Sequence, residues 1–95
     1  MANLESMRAD VEAIDNKIVT LLADRVDLCC AIGRIKVASG IPAHLPERVQ
    51  LVLSRWTTRV ADRQIDETSV RNICQLVIDE CCKAQLEVMS APNRD

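Results

Sequence analysis

Apolar residues recur at alternating spacings of three and four from the start of the chain towards its middle: Leu4, Met7, Val11, Ile14, Ile18, Leu21, then Leu28, Ile32 and Ile35. That rhythm lays one stripe along one side of an α-helix. No proline interrupts it before Pro42. A helix of about 35 residues is roughly 50 Å long at 1.5 Å per residue, more than a small globular domain usually spans. The rest of the fold is therefore constrained by what can cover such a stripe from end to end.

The first helix is expected over residues 4–39. Gly40, Ile41, Pro42, Ala43, His44 and Leu45 then break the pattern, and Pro46 suits the first turn of a second helix, where its missing N–H costs nothing. Val49, Val52, Leu53, Trp56 and Val60 give that helix one apolar side over 46–61. Asp66 is a plausible N-cap for a third helix over 66–89, striped by Val70, Ile73, Cys74, Val77, Cys81 and Val88, with a polar tail at 90–95 that contains Pro92. The expectation is an all-α fold and a single domain of 95 residues, one long helix and two shorter ones. Two short helices cannot cover the long stripe, because a compact three-helix bundle needs helices of similar length. A second copy of the chain is the simplest cover, so a homodimer is predicted.

Composition narrows the function classes. Trp56 is the sole aromatic residue, and the abundance of straight-chain side chains favours helix over sheet. A formal charge of −2 without a basic run argues against a nucleic-acid surface, which needs concentrated Lys and Arg. The N-terminus lacks the apolar run of a secretory signal, and Cys29, Cys30, Cys74, Cys81 and Cys82 form an odd set without a CxxC. Reduced thiols, a cytoplasmic location and no membrane partner are expected. A zinc site would need tetrahedral ligands at recognised spacings, and His44 is the one histidine. The cysteines read better as small apolar residues of the interior, with no metal.

Several polar residues interrupt apolar places. Arg25 falls in the seam between Ile18 and Ile32, where burying an unpaired guanidinium is costly. It is either a snorkelling or register-fixing residue, or a cation that meets an anion. Lys36 lies eleven residues on, close to three turns, and so shares its face; Arg8 lies seventeen residues back, roughly 25 Å along the axis. One small ligand cannot reach both Arg8 and Arg25 of a single straight helix. In an antiparallel pairing of two long helices, Arg8 of one chain approaches Arg25 and Lys36 of the other, which makes two equivalent shared sites. Arg48 borders the apolar side of the second helix and is either a solvated arginine or a further cation of the pocket. Gln85 interrupts the third stripe, as a core-end residue or as a neutral donor in the pocket.

No Ser-His-Asp arrangement, glycine-rich phosphate loop or pair of inward carboxylates stands out in the sequence. Chemistry that depends on a nucleophile or a histidine base is not indicated.

The stretches MRADVEAIDNKIVTLLADR, AIGRIKVASGIP and PERVQLVL, followed by a late glutamine, resemble the helical class of chorismate mutase over nearly the whole chain, from about Leu4 to Val88. The resemblance implies an intertwined homodimer in which Arg8 of one chain joins Arg25, Lys36, Arg48 and Gln85 of the other. It implies a Claisen rearrangement of a small dicarboxylate, chorismate to prephenate in that family, which needs no cofactor, acid, base or nucleophile. By the same analogy Arg8 and Arg25 hold the two carboxylates in the compact conformer. Lys36 and Gln85 then donate to the ether oxygen as charge develops there. Lys36, Gln85 and Arg25 are the catalytic candidates.

The chain departs from the family at three candidate substrate-binding positions. Leu45 stands where an acidic residue is usual, Val49 where a glutamate is usual, and Cys81 where a serine is frequent. In the family the two acids surround the C4 hydroxyl of chorismate, and a hydroxyl buried without a partner costs about 1–3 kcal/mol. The implied substrate is therefore chorismate or a C4-modified analogue such as 4-amino-4-deoxychorismate. Related isochorismate–pyruvate lyases also show Pro-Glu-Arg-Val at this point, and the apolar Val49 suits a substrate without the C4 contact. The loop between Lys36 and Arg48 has mutase-like length. A catalytically silent dimeric helical regulator is the remaining alternative.

Overall fold

The structure is a computed structural model that describes residues 3–90; residues 91–95 of the expected polar tail lie outside the described residues. It consists of α1 (Leu4–Ser39), α2 (Pro46–Arg59) and α3 (Glu67–Ser90), with no strand among the described residues.

Each helix ends where local chemistry stops it. Asn3 caps α1, its side-chain oxygen accepting from the Ser6 N–H at 2.8 Å, with Glu5 in the positive first turn. At the other end Gly40 adopts φ 69°, a left-handed conformation that glycine takes without steric penalty, and the Ile41 N–H closes on the Lys36 carbonyl at 2.9 Å. Pro46 opens α2 in its first turn. The helix closes at Arg59, short of the expected Ala61, because the N–H groups of Val60 and Ala61 turn back to Thr57 and Thr58 in tighter i−3 bonds. Asp66 precedes α3 as its cap and is not its first helical residue: the carboxylate accepts from the Ser69 N–H at 3.0 Å.

α3 is the hub, since α1 and α2 both pack against it and not against each other. α1 and α3 run in the same direction, with Cys81 beside Arg25 and Gln85 beside Gly33 and Lys36. Gly33 allows the close approach. A Cβ there would meet the Gln85 backbone at 3.4 Å, ordinary van der Waals contact, with no room for anything longer.

The interior is thin. Leu53, Val70, Cys74 and Cys81 are its buried apolar residues, joined by the buried amide of Gln85. Cys74 thus behaves as a small apolar residue, Cys81 is buried but accepts from Arg25, and Cys29, Cys30 and Cys82 are only half-buried; all five thiols are free. Ile73, expected on the inner stripe of α3, is 49% exposed.

The chain measures 57 × 30 × 14 Å, and its radius of gyration is 17.0 Å where a compact chain of this length would have about 12 Å. A thickness of 14 Å is little more than one helix diameter. Stable domains bury apolar faces between at least two layers, and a single chain supplies only one. The stripe of Leu4, Met7, Val11, Ile14, Ile18 and Leu21 is correspondingly 54–65% exposed. No described helix is long and apolar enough to cross a membrane.

Candidate active site

The C-terminal half of α1, the loop after it, the start of α2 and the second half of α3 enclose a cleft of about 400 Å³. Helix periodicity brings its polar groups together: Arg25 and Lys36 lie three turns apart on one face of α1, and Cys81 and Gln85 lie one turn apart on α3. Arg48, in the first turn of α2, forms an exposed rim. Leu28, Ile32, Leu45, Val49, Val52 and Ile78 supply the apolar wall.

Lys36 is held in place. Its Nζ donates to the Ala43 carbonyl at 2.9 Å and to Gln85 Oε1 at 2.9 Å. An ammonium has three N–H groups, so one remains for a ligand. Because Oε1 accepts from the ammonium, the amide N–H₂ is the end of Gln85 left to donate, and burial at 7% exposure holds the side chain in place. Lysine and glutamine therefore form one positioned donor pair.

Arg25 is half-buried, and its Nη1 donates to Cys81 Sγ at 2.8 Å and more distantly to Cys29 Sγ at 3.9 Å. Thiols are weak acceptors that do not neutralise a guanidinium. Burial pushes the Cys81 thiol up from its ordinary range, with the neighbouring Cys29 adding to the rise and Arg25 opposing it. Burial likewise raises Cys74, against the pull of Arg25 and Arg71. Cys81 is thus a neutral thiol at neutral pH, and the positive charge of Arg25 stays available.

Arg25, Lys36 and Arg48 line the cleft, and no aspartate or glutamate is among its described lining residues. Such a site attracts a compact anion and, being partly apolar, strengthens each contact it makes. Among the described residues no group of three or more His, Cys, Asp or Glu is placed to hold a metal ion. A second groove of about 470 Å³, lined by Trp56, Ile65, Val70 and Ile73, carries only the exposed Arg55 and Arg59 as cations.

Of the residues singled out from sequence, Arg25, Lys36, Leu45, Arg48, Val49, Cys81 and Gln85 all line this cleft. Arg8 does not line it within its own chain: it stands exposed on the first turns of α1, and the helical rise keeps it roughly 25 Å from Arg25. Sequence reasoning missed the Ala43 carbonyl as an anchor for Lys36, and Cys29 as a neighbour of Arg25. The first has no side-chain signal; the second was legible as an i+4 neighbour on the same face.

Residues 7–86 match the family described as chorismate mutase type II. The chain is 34% identical over 87 residues to a 4-amino-4-deoxychorismate mutase of Streptomyces venezuelae, covering 92% of this chain and 84% of that protein. It is 29% identical to a 4-amino-4-deoxychorismate mutase of Streptomyces pristinaespiralis over 88% of this chain and 65% of that protein. A chorismate mutase of Methanocaldococcus jannaschii is 33% identical over 80% of this chain and 77% of its own length. No solved structure gave a significant match.

Proposed function

The chain belongs to the chorismate mutase type II family, and from that premise we propose that it forms one mutase domain that works as a homodimer and rearranges 4-amino-4-deoxychorismate. The carrying observation is a cleft whose described lining includes three cations and no acid, with Lys36 and Gln85 fixed as a donor pair beside an apolar wall. A pericyclic rearrangement needs what such a site offers: grip on two carboxylates, and donors aimed at the oxygen where charge develops.

Arg25 holds one carboxylate from within the chain, and Arg8 of the second chain holds the other. The exposed stripe that carries Arg8 buries itself along the same stripe of the second copy, which turns two single layers into a two-layer core. The remaining N–H of Lys36 and the Gln85 N–H₂ donate to the ether oxygen as its C–O bond breaks. Choice of the amino substrate is supported by the named activity of the two Streptomyces relatives, while Leu45 and Val49 line the cleft without the acceptors that the hydroxyl of chorismate would use.

The test is direct. Purified protein is incubated separately with 4-amino-4-deoxychorismate, chorismate and isochorismate, and products are identified by mass spectrometry. Conversion of the amino substrate to an isomer of unchanged mass, faster than chorismate, is expected. Release of pyruvate from isochorismate as the dominant reaction would overturn the mutase reading in favour of a lyase. Sedimentation at twice 10.6 kDa is expected for the dimer.

A further inference from the structure

The cleft has an electrostatic property that bears on which form of an amine it takes. Among the described residues of this chain, the titratable groups that line it are Arg25, Lys36 and Cys29 from α1, His44 from the loop, Arg48 from α2, and Cys81 and Cys82 from α3, with no carboxylate. Cys81 contributes no negative charge at neutral pH, because burial raises its thiol. Glu47, next to Arg48, is exposed and does not line the cleft.

Two substrate carboxylates balance two of the three cations and leave one uncompensated charge, before Arg8 of the second chain is counted. An ammonium brought into that surrounding meets like charge and no acceptor carboxylate among the described lining residues, and both desolvation and repulsion favour its neutral form. On the substrate reading above, Leu45 and Val49 border the amine: a neutral amine gives up there only the hydration of a neutral polar group, whereas an ammonium would lose that of a full charge with nothing in exchange.

Resting on the substrate reading above, we infer that the enzyme takes its amine-bearing substrate as a dianion with the amine deprotonated, and that Leu45 and Val49 enforce this choice. The proton leaves to solvent before or during binding. Because kcat/KM reports the ionisations of free enzyme and free substrate, it then tracks the neutral fraction of the amine in solution.

The experiment measures kcat/KM for 4-amino-4-deoxychorismate and for chorismate from pH 6 to pH 8 on the intact protein. Chorismate carries a hydroxyl in place of the amine, so ionisations of the free enzyme that both substrates require divide out of the ratio. With a free amine titrating above this range, the ratio of amino substrate to chorismate is expected to climb about tenfold per pH unit, approaching a hundredfold overall. A flat or falling ratio, with both substrates turned over, overturns the inference and leaves the substrate reading intact. Absence of turnover of the amino substrate at every pH overturns both. Val49→Glu, its fold checked by circular dichroism, is expected to flatten the ratio, since a carboxylate then stabilises the ammonium; an unchanged slope in the folded variant counts against the assignment to the wall.

Discussion

From Leu4 to Leu21 and from Arg25 to Ser39, α1 carries the same apolar rhythm on one continuous helix, yet only the second half packs within its own chain. Every described residue from Asn3 to Asp24 is exposed, whereas the second half lays Gly33 against the Gln85 backbone and places Arg25 and Lys36 in a cleft. The pattern is alike because both halves need burial. The surroundings differ because α3, at 24 residues, is too short to follow a helix of 36. A periodic stripe thus specifies that a helix must be covered without specifying by which chain. Cations show the same division: Arg25 finds thiols and a cleft at home, while Arg8 stands in solvent with the first half of the stripe.

The largest effects are expected at the cations of the two halves that the proposed function places on one substrate. Lys36→Ala removes a positioned donor and should lower kcat by about a hundred- to a thousandfold. Arg8→Ala should also fall sharply, and mixing the two inactive variants after unfolding and refolding provides the sharper test. If each site draws Arg8 from one chain and Lys36 from the other, half of a randomly reassorted population is mixed dimers with one intact site, restoring about a quarter of wild-type activity. No restoration would mean that both residues serve the same chain's site.

Next in size is the stripe itself. Ile18→Glu puts a charge on the face that needs cover and should weaken the assembled protein by on the order of 3 kcal/mol or more. Sedimentation should show a shift to monomer, with lost helicity on melting. An equivalent exposed position off the stripe, Lys17→Glu, should change neither; equal loss in both variants would break the distinction between the faces.

Gly33 tests the covered half. Gly33→Ala fits at van der Waals contact and should stay within about 1 kcal/mol of wild type, since alanine also gains in helix propensity. Gly33→Leu has no such room, should cost about 1–3 kcal/mol by overpacking, and should lower activity further by moving Gln85.

The smallest effect is the pH response of the buried thiols. Cys74 and Cys81 titrate higher when folded than the ordinary value of 9.0, so the unfolded chain loses these protons first as pH rises. Their contribution to stability is complete below pH 9.0 and is progressively lost above it. Denaturant midpoints measured on either side of that pH should fall in wild type and fall less in Cys74→Ala. An equal fall would place the dependence elsewhere.

The helices and most of the cleft are legible in the sequence because their signals are local. Apolar spacing marks helix faces, Gly40 and Pro46 mark a stop and a start, and a charge inside an apolar stripe, as at Arg25 and Lys36, marks a position that needs a partner. Arg48 and Gln85 were legible only as candidates: each sat at the edge of a stripe where solvent and cleft give the same sequence pattern. What the sequence by itself determined was an α1 too long for one chain to cover and a set of cations on inner faces. Only the tertiary structure decided that α3 lies along α1 in the same direction, that Ala43 and Gln85 jointly fix Lys36, and that no acid is among the described residues lining the cleft. Those are facts about distance between residues far apart in the chain, and periodicity records direction around a helix but not the distance to another one.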